Sequence, residues 1–257
     1  TRSRVSASEA YSGLGSAYGG GVFVYIGMTA DYATISGNRA IARGSGNSAG
    51  GGVKQKASAS AVTATNSIID SNYAAKGGGI SASKVHLVNC TVSGNSAAVA
   101  GGGFYTTFAG LFSSTIAFNS AAQTGGVRQT SANPDAFSAY STIIARNTNT
   151  APGGYADFYS GVPLSGQKNL VVSYNVASSA ITITSDPQLA PLAFHGGPTR
   201  THALLATSPA VDHGFGLALS WDQRGTGFPR ASPVGSPDIG AYERHPNDDE
   251  LFYSGFD

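Results

Sequence analysis

Apolar and polar residues alternate with period two along most of the chain, and the alternation returns to one phase. Three residues before Asn38, Asn72, Asn95, Asn119, Asn147 and Asn175 stand Ile35, Ile69, Val92, Ile116, Ile144 and Val172, all β-branched aliphatics. Five residues before the same asparagines stand Ala33, Ser67, Cys90, Ser114, Thr142 and Leu170, mostly small. Positions two apart share a face of a strand, and no 3.6-residue periodicity competes, so helical solenoids are excluded. The asparagines are 34, 23, 24, 28 and 28 residues apart. Periods of this size mean stacked supersecondary units.

Glycine pairs recur in step: Gly20-Gly21, Gly51-Gly52, Gly78-Gly79, Gly102-Gly103, Gly125-Gly126 and Gly153-Gly154. Short strands between Gly and Asn corners predict an all-β fold, a right-handed parallel β-helix (β-solenoid) of about six to seven coils over residues 1–192. Coils stacked at about 4.8 Å would make a rod roughly 30 Å long. The asparagines are expected to form a structural ladder, tolerating left-handed turns while their amides bond the coils above and below. The glycine pairs are expected to be turns that need positive φ. Cys90 falls in the inward column of small residues and reads as a buried, inert thiol.

The strand after each glycine pair should start inward, at Val22, Val53, Ile80, Phe104 and Val127. Alternate residues would then face out: Phe23 and Tyr25, Lys54 and Lys56, Ser81 and Ser83, Tyr105 and Thr107, Arg128 and Thr130, Ala156 and Phe158. This predicts a surface of rings and bases, and Phe23, Tyr25, Lys54, Lys56, Tyr105 and Arg128 are candidate glycan-binding residues. Rings stack on sugars, and Lys or Arg pairs with uronate carboxylates. If the face is catalytic, the candidates are Lys54, Lys56, Tyr105 and Arg128, in the manner of a polysaccharide lyase, where a base removes the proton beside a carboxylate. The repeat offers few acids, Asp70, Asp135 and Asp157 among them, and no Glu lies between Glu9 and Glu243. A two-carboxylate glycosidase is therefore a poor fit.

From Ser185 to Glu243 the repeat stops and prolines break regular structure. Residues 193–243 are expected to cap the end of the solenoid, with Trp221 and Tyr242 packing, and Asp212, Asp222, Arg224, Asp238 and Glu243 tying down the loops. A rival reading makes these acids, with His202 and His213, a metal or acid–base site, although no dedicated metal-loop spacing is present. Residues 244–257 form an acidic-aromatic tail.

Composition narrows the partners. Charged residues are only 11%, Gly numbers 35 and the net charge is +1, so no global field points to nucleic acid or an anionic membrane. A single Cys excludes an internal disulfide framework. No apolar run approaches the roughly 20 residues of a membrane span. No signal peptide is visible and Thr1 opens mid-pattern, which points to a processed or trimmed start.

The Gly-Gly-Gly-(Ile/Phe) units ending in Asn, notably Ile116-Ala117-Phe118-Asn119, resemble the repeats of polymorphic outer-membrane proteins. The string from Gly196-Gly197-Pro198-Thr199-Arg200 through Ser208-Pro209-Ala210-Val211-Asp212, Asp222-Gln223-Arg224-Gly225 and Arg230 to Asp238-Ile239-Gly240-Ala241-Tyr242-Glu243 is similar to bacterial "choice-of-anchor Q" β-helix proteins. The ending Gly255-Phe256-Asp257 is similar to short tails on exported proteins. These resemblances imply a secreted or cell-surface bacterial β-helix and no particular reaction. The expected function is a structural or adhesive module that binds polysaccharide or cell-surface glycan and self-associates. The alternative is a lyase or depolymerase of an acidic glycan. No cofactor is expected for the module, whereas the lyase alternative would bring in Ca²⁺.

Overall fold

Each coil is too thin to bury its own inner face, so short strands of this pattern must stack on neighbours. The computed structural model describes residues 3–43, 46–57, 59–230, 235–246 and 248. It is a parallel β-solenoid of about six turns. Three parallel sheets run its length. The first contains Ser3–Ser6, Ala33–Ser36, Ile68–Asp70, Thr91–Ser93, Thr115–Ala117, Ile143–Ala145, Asn169–Val171 and Ile181–Ile183. The second carries the two longest strands, Ile80–Val88 and Phe104–Phe112, and the third runs from Glu9–Ser12 to Thr148–Asn149. No helix of the described residues is long and apolar enough to cross a membrane. Of the 244–257 tail, residues 247 and 249–257 lie outside the described residues, as do Thr1 and Pro233.

Register puts Val5, Ile35, Ile69, Val92, Ile116 and Ile144 in one inward file. The next rung is Val171, not the expected Val172, which is 41% exposed. The same one-residue slip puts Asn169, not Leu170, after Ser67, Cys90, Ser114 and Thr142. Its side-chain oxygen accepts from the Thr142 N–H at 3.0 Å, as Ser114 Oγ accepts from the Cys90 N–H at 3.2 Å.

The corner asparagines bond rung to rung. Asn38, Asn72 and Asn95 each donate both backbone N–H and side-chain Nδ2–H to the Oδ1 of the next asparagine, at 2.9–3.0 Å. Asn119 does the same to Asn147. Asn147 turns instead to the Asp157 carboxylate, at 3.0 and 2.9 Å, so Asp157 takes the terminal rung, and the Asn175 side chain bonds the Ser160 backbone instead of another rung. The left-handed turn residue is not the asparagine but its predecessor: Gly37, Ser71, Gly94, Phe118 and Arg146 have positive φ. Asn recurs because its amide serves backbone groups at a corner where strands cannot pair.

The glycine pairs also differ from expectation. At four pairs positive φ falls on the residue before the pair, at Gly19, Gly50, Gly77 and Gly101, while Gly153 has it within its own pair; the second glycines Gly21, Gly52, Gly79, Gly103 and Gly126 lie against the asparagines. A Cβ on Gly79 would come 3.1 Å from the Asn95 side chain and 2.5 Å from the Gly103 carbonyl. The glycines thus leave room for the amide ladder. Gly153-Gly154 leaves the file, and Ala156-Asp157 pairs with Gly125-Gly126 instead.

The largest correction concerns residues 193–243, which lie along the flank of the first sheet instead of capping its end. They touch successive coils: Thr199 Oγ1 donates to the Asn66 carbonyl, Thr91 Oγ1 to Gln223, the Gly240 N–H to the Ser141 carbonyl, and the Ala241 N–H to Thr115 Oγ1. The reason lies in the sheet. Its outward residues Ile68, Thr91, Thr115, Ile143 and Leu170 are no more than 1% exposed, so both faces need cover. A second apolar cluster joins Ala117, Ile143 and Leu170 to Leu204, Ala210, Ile239 and Tyr242. Tyr242 packs as expected, whereas Trp221 is 39% exposed and contributes its carbonyl to Asn89.

Buried charges hold this strap. Arg224 pairs with Asp222 at 2.8 Å and lies between the Phe228 and Tyr242 rings. Arg230 bonds Asn89, the Gly240 carbonyl and Glu243, and Arg200 reaches buried Asp70 at 2.6 Å. Burial, and then the charge of Asp238, pushes the Glu243 carboxyl up to about 8, against the opposing pull of the Asp238 N–H and Arg230.

Asn95→Ala should lower unfolding free energy by about 3 kcal/mol, because it strips partners from buried groups on two neighbouring coils, while Asn175→Ala, which strips only the Ser160 N–H and carbonyl, should cost less, about 1–2 kcal/mol. Denaturant titration of both variants checks the ladder's end. A carboxyl whose pKa is raised by folding binds more protons when folded. Its stabilisation is therefore greatest below its ordinary 4.5 and is lost as pH climbs toward about 8. Across that window the wild type should lose stability relative to Glu243→Gln, by up to ~1.4 kcal/mol per pH unit. Melting temperatures compared across that range would read it.

Candidate glycan-binding face

The second sheet sets the site. Strands Val22–Val24, Val53–Gln55, Ile80–Val88, Phe104–Phe112, Val127–Gln129 and Phe158–Tyr159 are in register. Val53, Ile80, Phe104, Val127 and Phe158 are fully buried, and Val22 partly so. The next residues form one outer file: Phe23, Lys54, Ser81, Tyr105, Arg128 and Tyr159. The expectation that Ala156 and Phe158 face out fails. Asp157, three residues past Gly154, occupies the Gly126 rung, which turns Phe158 inward and Tyr159 out.

Two flanking files extend this surface. Beyond the outer file, Tyr25 and Lys56 lie on neighbouring coils, with Lys56 Nζ 5.4 Å from the Tyr25 ring centroid. Across the glycine corner, Tyr18, Ala49, Lys76 and Ala100 are in register. Glycines put no side chain between the files, so cations reach over: Lys54 Nζ sits 5.9 Å from the Tyr18 ring and Lys76 Nζ 5.6 Å from Tyr105. The Arg128 guanidinium carbon lies 3.6 Å from the Tyr159 ring centroid. Four cations thus each ride on an aromatic ring along one side of the rod.

None of Lys54, Lys56, Lys76 or Arg128 forms an ion pair within the described chain. Lys54 donates to Ser81 Oγ at 3.1 Å, and partial burial lowers its pKa. Asp157 lies beneath this surface with its oxygens committed to Asn147 and the Ser173 N–H, and burial pushes it up to about 6. Phe23 and Tyr25 are 48% and 62% exposed.

The candidate catalytic set does not converge. Lys54 and Arg128 are three rungs apart, about 14 Å. Tyr105 and Arg128 are on adjacent coils, while Lys54 and Lys56 belong with Phe23 and Tyr25 nearer the first coil. Beside Arg128 opens a cleft of about 220 Å³, lined by Gln123, Arg128, Pro152, Gly153, Gly154 and Tyr159 among others. Sequence reasoning missed Tyr18, Lys76 and Tyr159. The residue before each glycine triplet was a readable signal for the first two, since Tyr18 and Lys76 hold that same place.

The rival histidine–acid reading finds no support in the geometry. His202 bonds Ser93 Oγ and the Ala190 carbonyl, each at 2.8 Å, and burial takes it down to about 4, so it is neutral. His213 is exposed, with its ring on the Val211 carbonyl. Among the described residues, no group of three or more His, Cys, Asp or Glu is arranged to hold a metal ion. No family model, curated protein or solved structure matches the chain. Fold and face together define a parallel β-solenoid with a cation–aromatic flank.

Cys90 stands in the serine column, fully buried, with Sγ 3.3 Å from the Val88 carbonyl, and burial pushes its thiol up to about 12. It should resist alkylation at about pH 8 in the native state and react fully once denatured. Mass spectrometry after iodoacetamide treatment reads both states.

Proposed function

We propose that this chain is a structural or adhesive module, secreted or displayed on a bacterial surface, that binds acidic polysaccharide along the outer face of its second sheet. The observation that carries this reading is the row of four ring-mounted cations with no carboxylate partner among the described residues. An acidic glycan supplies both missing parts, carboxylates for the cations and ring faces for exposed Phe23 and Tyr25. A nearly neutral chain lacks the field for nucleic acid, so recognition would be local. The resemblance of the string Gly196 to Glu243 to choice-of-anchor Q proteins, and of the repeats to polymorphic outer-membrane proteins, supports the extracellular setting. A stiff rod poor in charge also suits display, with sister copies as further partners.

The second reading, a lyase of acidic glycan, draws on Lys54, whose lowered pKa is the property of a general base. The spread of Lys54, Lys56, Tyr105 and Arg128 over several coils argues against it, as does the lack of clustered acids for Ca²⁺ among the described residues.

Gel-affinity electrophoresis should show the protein slowed by a polyuronate and not by a neutral polymer, with the retardation weakening as salt rises. Lys56→Ala combined with Lys76→Ala should reduce it severalfold. Migration unchanged by every acidic polymer would overturn the binding reading, and rising ultraviolet absorbance of an unsaturated product would replace it with the lyase. Sedimentation at increasing concentration tests self-association.

A further inference from the structure

We infer that the cleft beside Arg128 and Tyr159 is a site for a single uronic acid residue, gripped through its carboxylate. The inference rests on the acidic-glycan reading of the same face and assigns a particular chemistry to one end of it.

The guanidinium comes first. A separation of 3.6 Å between its central carbon and the Tyr159 centroid is the thickness of two stacked planes, so the group lies face-on over the ring. Stacking occupies its face and leaves its N–H edge for a ligand. Arg carries five N–H donors. Yet among the described residues Arg128 has no carboxylate or hydrogen-bond acceptor. By contrast, Arg224 and Arg230 in the buried strap have several acceptors each. An edge held in place by an aromatic ring and lacking acceptors matches a planar, bidentate carboxylate.

The cleft sets the size and the rest of the chemistry. Its volume, about 220 Å³, is below the ~300 Å³ at which drug-sized pockets begin, which suits one sugar ring and not a length of polymer. Arg128 is its one charged lining residue, so one anion per ligand is expected. Gly153 and Gly154 place backbone instead of side chains on one wall, and Gln123 offers both a donor and an acceptor for hydroxyls. The neighbouring Tyr155 ring, 6.3 Å from Tyr159 and 40% exposed, extends the apolar rim. The place along the rod is also distinctive. On earlier coils the corner is an open glycine triplet, whereas here the turn 152–154 stands over Gln123 and gives the corner a wall. A terminal sugar fits that arrangement better than an internal one.

Three ligands separate the outcomes in saturation-transfer NMR and calorimetry: galacturonate, galactose and galactose 6-sulfate. Galacturonate should bind the wild type with a Kd on the order of 1 mM. Galactose should bind at least tenfold more weakly. Arg128→Gln should abolish galacturonate binding, and Arg128→Lys, which keeps the charge but not the fork, should weaken it about tenfold. Tyr159→Phe should keep affinity and Tyr159→Ala lose it. Protection of Cys90 from alkylation in each variant certifies that the rod is folded.

Equal binding by wild type and Arg128→Gln, galactose bound as well as galacturonate, or no galacturonate binding at all would overturn the inference. A clear preference for the sulfate ester would overturn the carboxylate assignment. The two readings fail separately. Polyuronate retardation with no monosaccharide dependence on Arg128 removes the cleft and leaves the face. Arg128-dependent galacturonate binding with no polymer retardation does the reverse.

Discussion

The structure depends on satisfying backbone groups at the corners of each coil. Sheets pair their own N–H and C=O groups, but a corner buried between sheets has no strand partner and would carry a penalty of about 1–3 kcal/mol for each group left alone. The asparagine file removes that penalty by donating and accepting between rungs, from Asn38 to Asn147. It needs space inside a narrow cross-section, and the facing glycines supply it. Asn and Gly therefore recur together for one reason. The file stops where an acid replaces the amide: Asp157 accepts from Asn147 and passes its other oxygen to the Ser173 N–H, and the coils beyond it follow a shifted register.

A second constraint follows from the first sheet. An ordinary solenoid face alternates between apolar interior and polar exterior, but here Ile68, Ile143 and Leu170 stand outward beside inward Ile69, Ile144 and Val171. Two apolar faces require two layers of cover, and the proline-rich strap is the second layer. Its path along the flank lets it bond several coils at once, so it braces the stack lengthwise. The strap carries buried ions because irregular loops leave polar groups that sheets would have paired, and Arg224, Arg230 and Asp222 collect them. Unpartnered, any of these charges would be costly at such depth.

The second sheet differs from the first in having one free face. There the cations face solvent over aromatic rings, without the acids that neutralise the strap. Its two ends also differ. Toward the first coil it carries Phe23, Tyr25 and Lys56; toward the last it carries the Arg128–Tyr159 cleft. The outer file that joins the two ends runs in register from Phe23 to Tyr159.

How much of this was legible follows from the range of each interaction. Coil number, the inward β-branched file and the outward set Phe23, Lys54, Tyr105 and Arg128 could be read because they rest on period two and a fixed repeat, both local. The Asn175 rung and the Val172 position misled, since the three-residue shift at Asp157 and the one-residue slip at Val171 are invisible until the neighbouring coil fixes the register. The doubled apolar pairs Ile68-Ile69 and Ile143-Ile144 carry a signal of a covered sheet that the reading of the inward file passed over, and the strap residues that cover Ile143, such as Leu204 and Ile239, lie more than sixty residues away in sequence. The sequence by itself therefore determined the stacking and, on the coils before Asp157, which side chains of the second sheet face out, because alternation is set within each strand. Only the tertiary structure decided that the strap lies on the flank, that Lys76 joins Tyr105 across the glycine corner, and that Arg128 meets Tyr159 beside a cleft, because those contacts join segments whose separation no local pattern encodes.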